Sequence, residues 1–189
     1  MVTATPVIWC SGAGAGRDRT ESRSTIFVPM DERHTLAARL TAAGIPQATG
    51  EEARVVRLEN GKPRYGEDIS ERYLAQETEQ LHALHFNKGC YLGQEIVERV
   101  RSRGQIHRHL TPVQVETDTA PAPGSKLVAD GSVVGEITSA VYSPGLGRTV
   151  ALAYVRTEAL EKKPAMTLEG SDPPITAKLA VAQNSSVAV

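Results

Sequence analysis

The hydrophobic pattern of this chain changes character near Leu110. Before that point apolar residues recur at helical spacing. After it, short apolar runs alternate with proline and glycine. In the first part Ile26-Phe27-Val28 forms an apolar run within Ser24 to Met30 and predicts a strand. Asp31 is placed to cap a helix from Glu32 to Ala43, with Leu36, Leu40 and Ala43 on one face and Gly44 and Pro46 ending it. Thr49 and Glu52 have the spacing of a capping box for a second helix, about Gly50 to Glu59, whose apolar side is Ala53, Val56 and Leu58. Gly61 and Pro63 stop it. Between residues 67 and 87 no single period fits Leu74, Leu81, Leu84 and Phe86.

Beyond Leu110 the β-like runs are Val113-Gln114-Val115, Lys126 to Ala129, Val133 to Val141, Thr149 to Val155, Met166-Thr167-Leu168 and Ala177 to Val181. Thr119 to Gly124 and Tyr142 to Gly147 are turn-rich. Short strands at regular spacing predict a small barrel or sandwich. The expected class is therefore α+β, with a boundary near Arg108 to Thr111. Residues 1–24 fit neither half. Their glycines, Gly12, Gly14 and Gly16, lack the Gly-Lys-Ser/Thr ending of a phosphate loop, and a flexible segment is expected there.

Composition narrows the function classes. The 189 residues are 40% hydrophobic, enough for a core. A formal net charge of -1 gives no global field to attract nucleic acid or acidic lipid. Two cysteines, Cys10 and Cys90, are too few for a disulfide framework. No apolar run of about 18 residues predicts a membrane helix, and the N-terminus lacks the pattern of a signal peptide. A cytoplasmic location is the expectation.

The densest chemistry lies in Lys88-Gly89-Cys90-Tyr91-Leu92-Gly93-Gln94-Glu95. A cysteine acts chemically mainly as a thiolate. Lys88 is a cation two residues away, and a helix expected from Gln94 to Arg101 would bring its positive end near Cys90. The plain alternative is a small buried hydrophobe. Ile96, Val97 and Val100 on that helix read as core. Arg99, Arg101, Arg103 and Arg108 make a local basic patch, either a solvated face or an anion clamp; without interleaved aromatics it does not suit nucleic acid. His82, His85, His107 and His109 lack the converging spacing of a zinc site and are expected at the surface or a strand edge.

The octapeptide resembles the signature loop of the YgfZ-type folate-binding proteins, relatives of the aminomethyltransferase (T-protein) of the glycine cleavage system. Arg99, Arg103-Gly104 and Arg108 continue the likeness. Upstream, Arg57-Leu58-Glu59, Gly61, Pro63, Tyr65-Gly66 and Asp68-Ile69 fit the family's Arg-x-Glu-x-Gly-x-Pro-x-Tyr-Gly-x-Asp-Ile segment. Downstream, Gly135-Glu136-Ile137-Thr138-Ser139, Ser143-Pro144 and Ala151-Leu152-Ala153-Tyr154-Val155 resemble the barrel shared with the T-protein. The likeness covers about residues 27–181.

The resemblance implies a partial folate-binding α+β domain over residues 25–108, followed by a small antiparallel β-barrel over 109–189. It implies tetrahydrofolate as cofactor, with Glu59 accepting the paired donors of the pterin ring. Tyr65, Tyr91, Gln94, Glu95, Arg99 and Arg103 would complete the folate site, and Cys90 with Lys88 would form the reactive pair. Two departures stand out. Only 56 residues precede Arg57, and an early pocket aspartate has no counterpart. Ala75 also stands where the family tends to have proline. A shortened domain would expose strand edges and favour self-association. The leading expectation is a folate-dependent accessory protein for iron–sulfur cluster assembly or repair, with iron–sulfur client or assembly proteins as partners. A single cysteine does not hold a whole cluster. The alternatives are an aminomethyltransferase moving a one-carbon unit to tetrahydrofolate, and an inactive fragment or interaction module.

Overall fold

The computed structural model describes residues 5–10, 23–85, 89–90, 93–95, 98, 106–162 and 164–180. The chain divides into two compact units, Met1–Thr49 and Gly50–Val189. In the first, β1 (Thr5–Cys10) pairs antiparallel with β2 (Arg23–Val28), with Thr5 opposite Val28. Thr5–Cys10 thus differ from the flexible segment expected for residues 1–24: the run Pro6-Val7-Ile8-Trp9 has the β propensity to pair with Thr25-Ile26-Phe27. A 3-10 turn, Met30–Glu32, leads into α1 (Arg33–Ala42). Asp31 lies inside that turn and does not cap the helix, because the chain enters through the tighter turn. The helix ends in a Schellman motif: Ile45 N–H donates to Leu40 O and Gly44 N–H to Thr41 O, with Gly44 at φ +79°.

The second unit starts with α2 (Gly50–Glu59), which matches its expected span. It too ends in a Schellman motif, with Lys62 N–H on Arg57 O, Gly61 N–H on Leu58 O, and Gly61 at φ +58°. A Cβ on Gly61 would also sit 2.9 Å from Pro112 Cγ, so glycine is required here twice over. Two 3-10 turns follow, Ala75–Thr78 and Leu81–Ala83. Of the helix expected from Gln94 to Arg101, the described residues Gln94, Glu95 and Glu98 are helical.

The remainder is a closed antiparallel barrel. Its strands are β3 (Arg108–Val115), β4 (Lys126–Ala129), β5 (Ser132–Ser143), β6 (Arg148–Arg156), β7 (Met166–Leu168) and β8 (Thr176–Leu179). They run in the order β3-β6-β5-β4-β7-β8, and β8 closes on β3. Closure removes the sheet edges that a sandwich would leave open. A short helix, α3 (Thr157–Lys162), follows β6 and buries Ala159.

Strand β6 explains how the barrel carries the rest of the unit. Seven consecutive residues are buried, Thr149 to Val155. Ala151, Ala153 and Val155 face the interior with Val113, Val115, Leu127, Ile137 and Met166. The alternate residues Val150, Leu152 and Tyr154 form a second cluster on the outer surface with Leu58 of α2 and Leu110. One strand therefore serves two cores. Gly135 of β5 permits the close packing: a Cβ there would lie 2.9 Å from the Tyr154 carbonyl oxygen. The texture change near Arg108 marks the start of the barrel, yet the compact unit begins at Gly50, because α2 is part of the barrel's outer core.

Leu58 is 2% exposed and is the helix's one buried residue. Leu58→Ala should cost about 2–5 kcal/mol in a denaturant titration, as for other large-to-small core changes. A loss below about 0.5 kcal/mol would mean that α2 is not held by this cluster.

Candidate functional site

Three consecutive residues end α2, and each does something different. Leu58 enters the outer core. Arg57 reaches the loop that follows: its Nη1 donates to Lys62 O at 2.9 Å and to Asp68 Oδ2 at 2.6 Å, and its Nη2 donates to Glu67 Oε2 at 2.9 Å. Glu59 turns to the barrel and accepts a hydrogen bond from Ser143 Oγ at 2.5 Å. Successive helical side chains point about 100° apart, so an Arg-Leu-Glu run at a helix end serves three directions at once.

Asp68 is fully buried. Its Oδ2 accepts from Arg57 and from the Arg64 backbone N–H at 2.9 Å. Its Oδ1 accepts from Thr138 Oγ1 at 2.7 Å and from Ser139 Oγ. Thr138 and Ser139 are neighbours, which a regular strand would send to opposite faces. The β5–β6 register runs from Ile137 opposite Ala153 to Ser139 opposite Leu152, so Thr138 is the extra residue of a β-bulge. The bulge brings both hydroxyls onto one carboxylate oxygen. Tyr154 Oη adds a hydrogen bond of 3.2 Å to the Asp68 carbonyl. Every Asp68 oxygen is engaged, which suits a structural carboxylate and not a general base.

Beside this hub Glu77 holds Arg108. The guanidinium donates to both carboxylate oxygens, at 3.0 and 3.4 Å, and Glu77 also accepts from Leu74 N–H at 3.0 Å. Arg108 lies 5.0 Å from the Tyr73 ring centre and 5.5 Å from that of Tyr154, and the two rings stack at 3.9 Å. The hydrogen bond from Glu77 is the main cause that raises the Arg108 pKa. Arg108 is thus committed to Glu77, which leaves it unlike the free cation expected in an anion clamp. Desolvation by burial pushes the Tyr154 hydroxyl well above its ordinary value.

Of the expected site residues, Glu59, Tyr65, Cys90, Gln94 and Glu95 are among the described residues. Tyr65 is 70% exposed, in the Arg64–Ile69 loop, where it pairs with Ile69. Cys90 and Glu95 are exposed and Gln94 is half-buried. Lys88, Tyr91, Arg99 and Arg103 lie outside the described residues. Among the described residues no hydrogen bond or ion pair joins Glu59 to Tyr65, Cys90, Gln94 or Glu95. His109 pairs with the carboxylate of Glu79. Sequence reading did not single out Ser143, Thr138, Ser139 or Asp68 as site residues, although all four fall inside the quoted motifs.

The fold and this seam define a class: a closed six-stranded barrel that carries a helix on its outer face through a buried aspartate. Residues 108–183 match the glycine cleavage T-protein C-terminal barrel domain. The chain is 31% identical over 160 residues to the aminomethyltransferase of Symbiobacterium thermophilum, covering 82% of this chain and 41% of that protein. It is 35% identical over 101 residues to the aminomethyltransferase of a Nostoc species, covering 53% of this chain and 27% of that protein. A crystal structure of the glycine cleavage system aminomethyltransferase T from Bartonella henselae shares the fold, with a TM-score of 0.74 at 22% identity over 87% of this chain and 48% of that one. Residues 108–183 thus resemble that barrel domain, the chain is similar in sequence to aminomethyltransferases, and the Bartonella structure shares its fold. The chain spans 27 to 41% of the length of these two curated relatives.

Two outcomes follow from this geometry. Asp68→Ala removes one of the two carboxylates that hold Arg57 and the carboxylate shared by two buried hydroxyls, and should lower stability by about 3 kcal/mol, read as a fall in the denaturant midpoint at unchanged slope. A loss within about 0.5 kcal/mol would show that the hub does not hold the unit together. Tyr154 has a raised folded pKa, so its contribution is fully present below the unfolded value of 10.0 and is lost as pH rises above it. Melting temperature should therefore fall on the alkaline side of pH 10, and Tyr154→Phe should flatten that fall. An identical alkaline slope in the variant would contradict the burial of this hydroxyl.

Proposed function

We propose that this chain contributes the Glu59 side of a tetrahydrofolate site in a one-carbon transfer protein of the aminomethyltransferase type. The observation that carries the reading is the state of the Glu59 carboxylate. It is half-buried at the helix–barrel seam and fixed through Oε1 by Ser143, and among the described residues no donor reaches Oε2. The neighbouring carboxylates of Glu67, Asp68 and Glu77 are taken up by arginines. A carboxylate held at one oxygen, with acceptor capacity to spare, suits the adjacent N–H donors of a pterin ring. The resemblance to folate-binding proteins and the aminomethyltransferase names of the similar proteins both favour this ligand.

When bound, tetrahydrofolate supplies the nitrogen that takes up the one-carbon unit. The residues of this chain bind and orient. Glu59 accepts the ring donors, Ser143 holds Glu59, and the Asp68 hub keeps the end of α2 against β5. Asp68 itself, with both oxygens engaged, does not act as the proton-transfer group.

A second reading, an accessory protein for iron–sulfur cluster assembly or repair, draws on the exposed thiol of Cys90 in its glycine-flanked loop. The aminomethyltransferase names weigh toward the first. Calorimetric titration with tetrahydrofolate tests it. Wild-type protein should bind, and Glu59→Ala should weaken binding by at least about tenfold, the scale of a lost hydrogen bond to a charged group. Binding unchanged by Glu59→Ala refutes the assignment. One-carbon transfer to tetrahydrofolate that survives Cys90→Ser favours the transferase, and tetrahydrofolate binding without transfer favours the accessory reading.

A further inference from the structure

We infer that Ser143 is a positioning residue for Glu59, so that the β5–β6 turn of the barrel forms part of the ligand site. The inference rests on the reading of Glu59 as the pterin acceptor, and it adds a residue from a different element.

The argument begins with burial. Ser143 has no solvent exposure, so its hydroxyl must find partners inside the protein. Its Oγ accepts the Leu146 backbone N–H at 3.1 Å. That bond is local and belongs to the turn, where Gly147 N–H also donates to Ser143 O at 2.9 Å. With a lone pair occupied by Leu146, the hydroxyl proton is left to point away from the turn. It points at Glu59 Oε1, 2.5 Å away and 84 residues earlier in the chain.

The turn backbone also lies close to the carboxylate: a Cβ on Gly145 would be 3.8 Å from Glu59 Oε1. The carboxylate is thereby fixed from one side by a donor whose own orientation the turn sets. A free glutamate at a helix end samples several rotamers, and ordering it costs free energy at the moment a ligand binds. Ser143 meets that cost in advance, which is preorganisation. The same arrangement makes the turn a sensor. A ligand that draws charge from Glu59 changes the acceptor strength seen by Ser143 and, through Oγ, the bond from Leu146 N–H.

A double-mutant cycle read by calorimetric titration with tetrahydrofolate tests the inference. Ser143→Ala should weaken binding by about tenfold in the wild-type background and leave it unchanged in Glu59→Ala, because the serine acts through the glutamate. Ser143→Thr, which keeps the hydroxyl, should restore binding to within about threefold of wild type, a difference of about 0.7 kcal/mol. Should Ser143→Ala fail to fold, Ser143→Cys keeps the volume and replaces the hydroxyl with a weak donor, and it should show the same loss. Hydrogen exchange supplies a readout that a purely structural role would not move: tetrahydrofolate should change the exchange rate of the Leu146 amide in the wild type and not in Glu59→Ala. Equal losses from Ser143→Ala in both backgrounds, or none in the wild type, overturn the inference while the Glu59 reading stands. If Glu59→Ala binds as tightly as wild type, that reading fails, and Ser143 has no ligand group to position.

Discussion

Asp68 is a carboxylate with no solvent exposure, and four donors from three parts of the chain converge on it. Arg57 comes from the end of α2, the Arg64 N–H from the loop, and Thr138 and Ser139 from a bulge in β5. A buried charge is tolerable only when its lone pairs are satisfied, and breaking such a set is far more costly than its net contribution suggests. The constraint is geometric as well as energetic. Any shift of α2 along the barrel would break the Arg57 bond, and any regularisation of β5 would send Thr138 or Ser139 away. The outer core of Leu58, Leu110, Val150, Leu152 and Tyr154 supplies non-directional adhesion. Asp68 supplies the register, and Glu59 owes its place beside Ser143 to both.

The barrel was largely legible in the sequence. Lys126 to Ala129 and Met166 to Leu168 match β4 and β7, and the runs at Val133 to Val141 and Thr149 to Val155 lie inside β5 and β6. Alternation and turn residues are local signals, and the β4–β5, β5–β6 and β7–β8 pairings each join consecutive strands. The helix ends were legible for the same reason, since Gly44 and Gly61 each sit one residue past the cap. The cap by Asp31 was not, because a 3-10 entry and an α-helical entry have the same composition. Pairing of Thr5–Cys10 with β2 was hidden by the Gly-rich and charged residues between them, which read as linker.

The candidate site was legible in part, and the reason differs between residues. Glu59 stood out by its motif, although a negative charge at a helix C-terminus is locally unfavourable. Its compensation, Ser143, is 84 residues away, and no local pattern reveals that contact. Thr138 and Ser139 likewise lie 70 and 71 residues from Asp68 in sequence. A β-bulge has no sequence signature strong enough to say that two adjacent hydroxyls share one target. Arg108 looked like a free cation for the same reason, since its partner Glu77 lies in an aperiodic segment.

Those long-range contacts explain how a barrel with a filled interior still orders the seam on its outside. Its inside is packed with Val113, Val115, Leu127, Ile137, Val155 and Met166 and offers no cavity function. The polar contacts of the seam come from β5, whose Thr138, Ser139 and Ser143 present hydroxyls beside the apolar outer face of β6. Ser139 and Thr138 hold Asp68 and the loop after α2, and Ser143 holds Glu59. The division of labour follows from strand geometry. Near the middle of β5 the bulge and its buried partners hold position, and at its end the turn reaches solvent. In this arrangement the barrel is the frame of the seam, and Glu59 at the end of α2 is the carboxylate it holds in place.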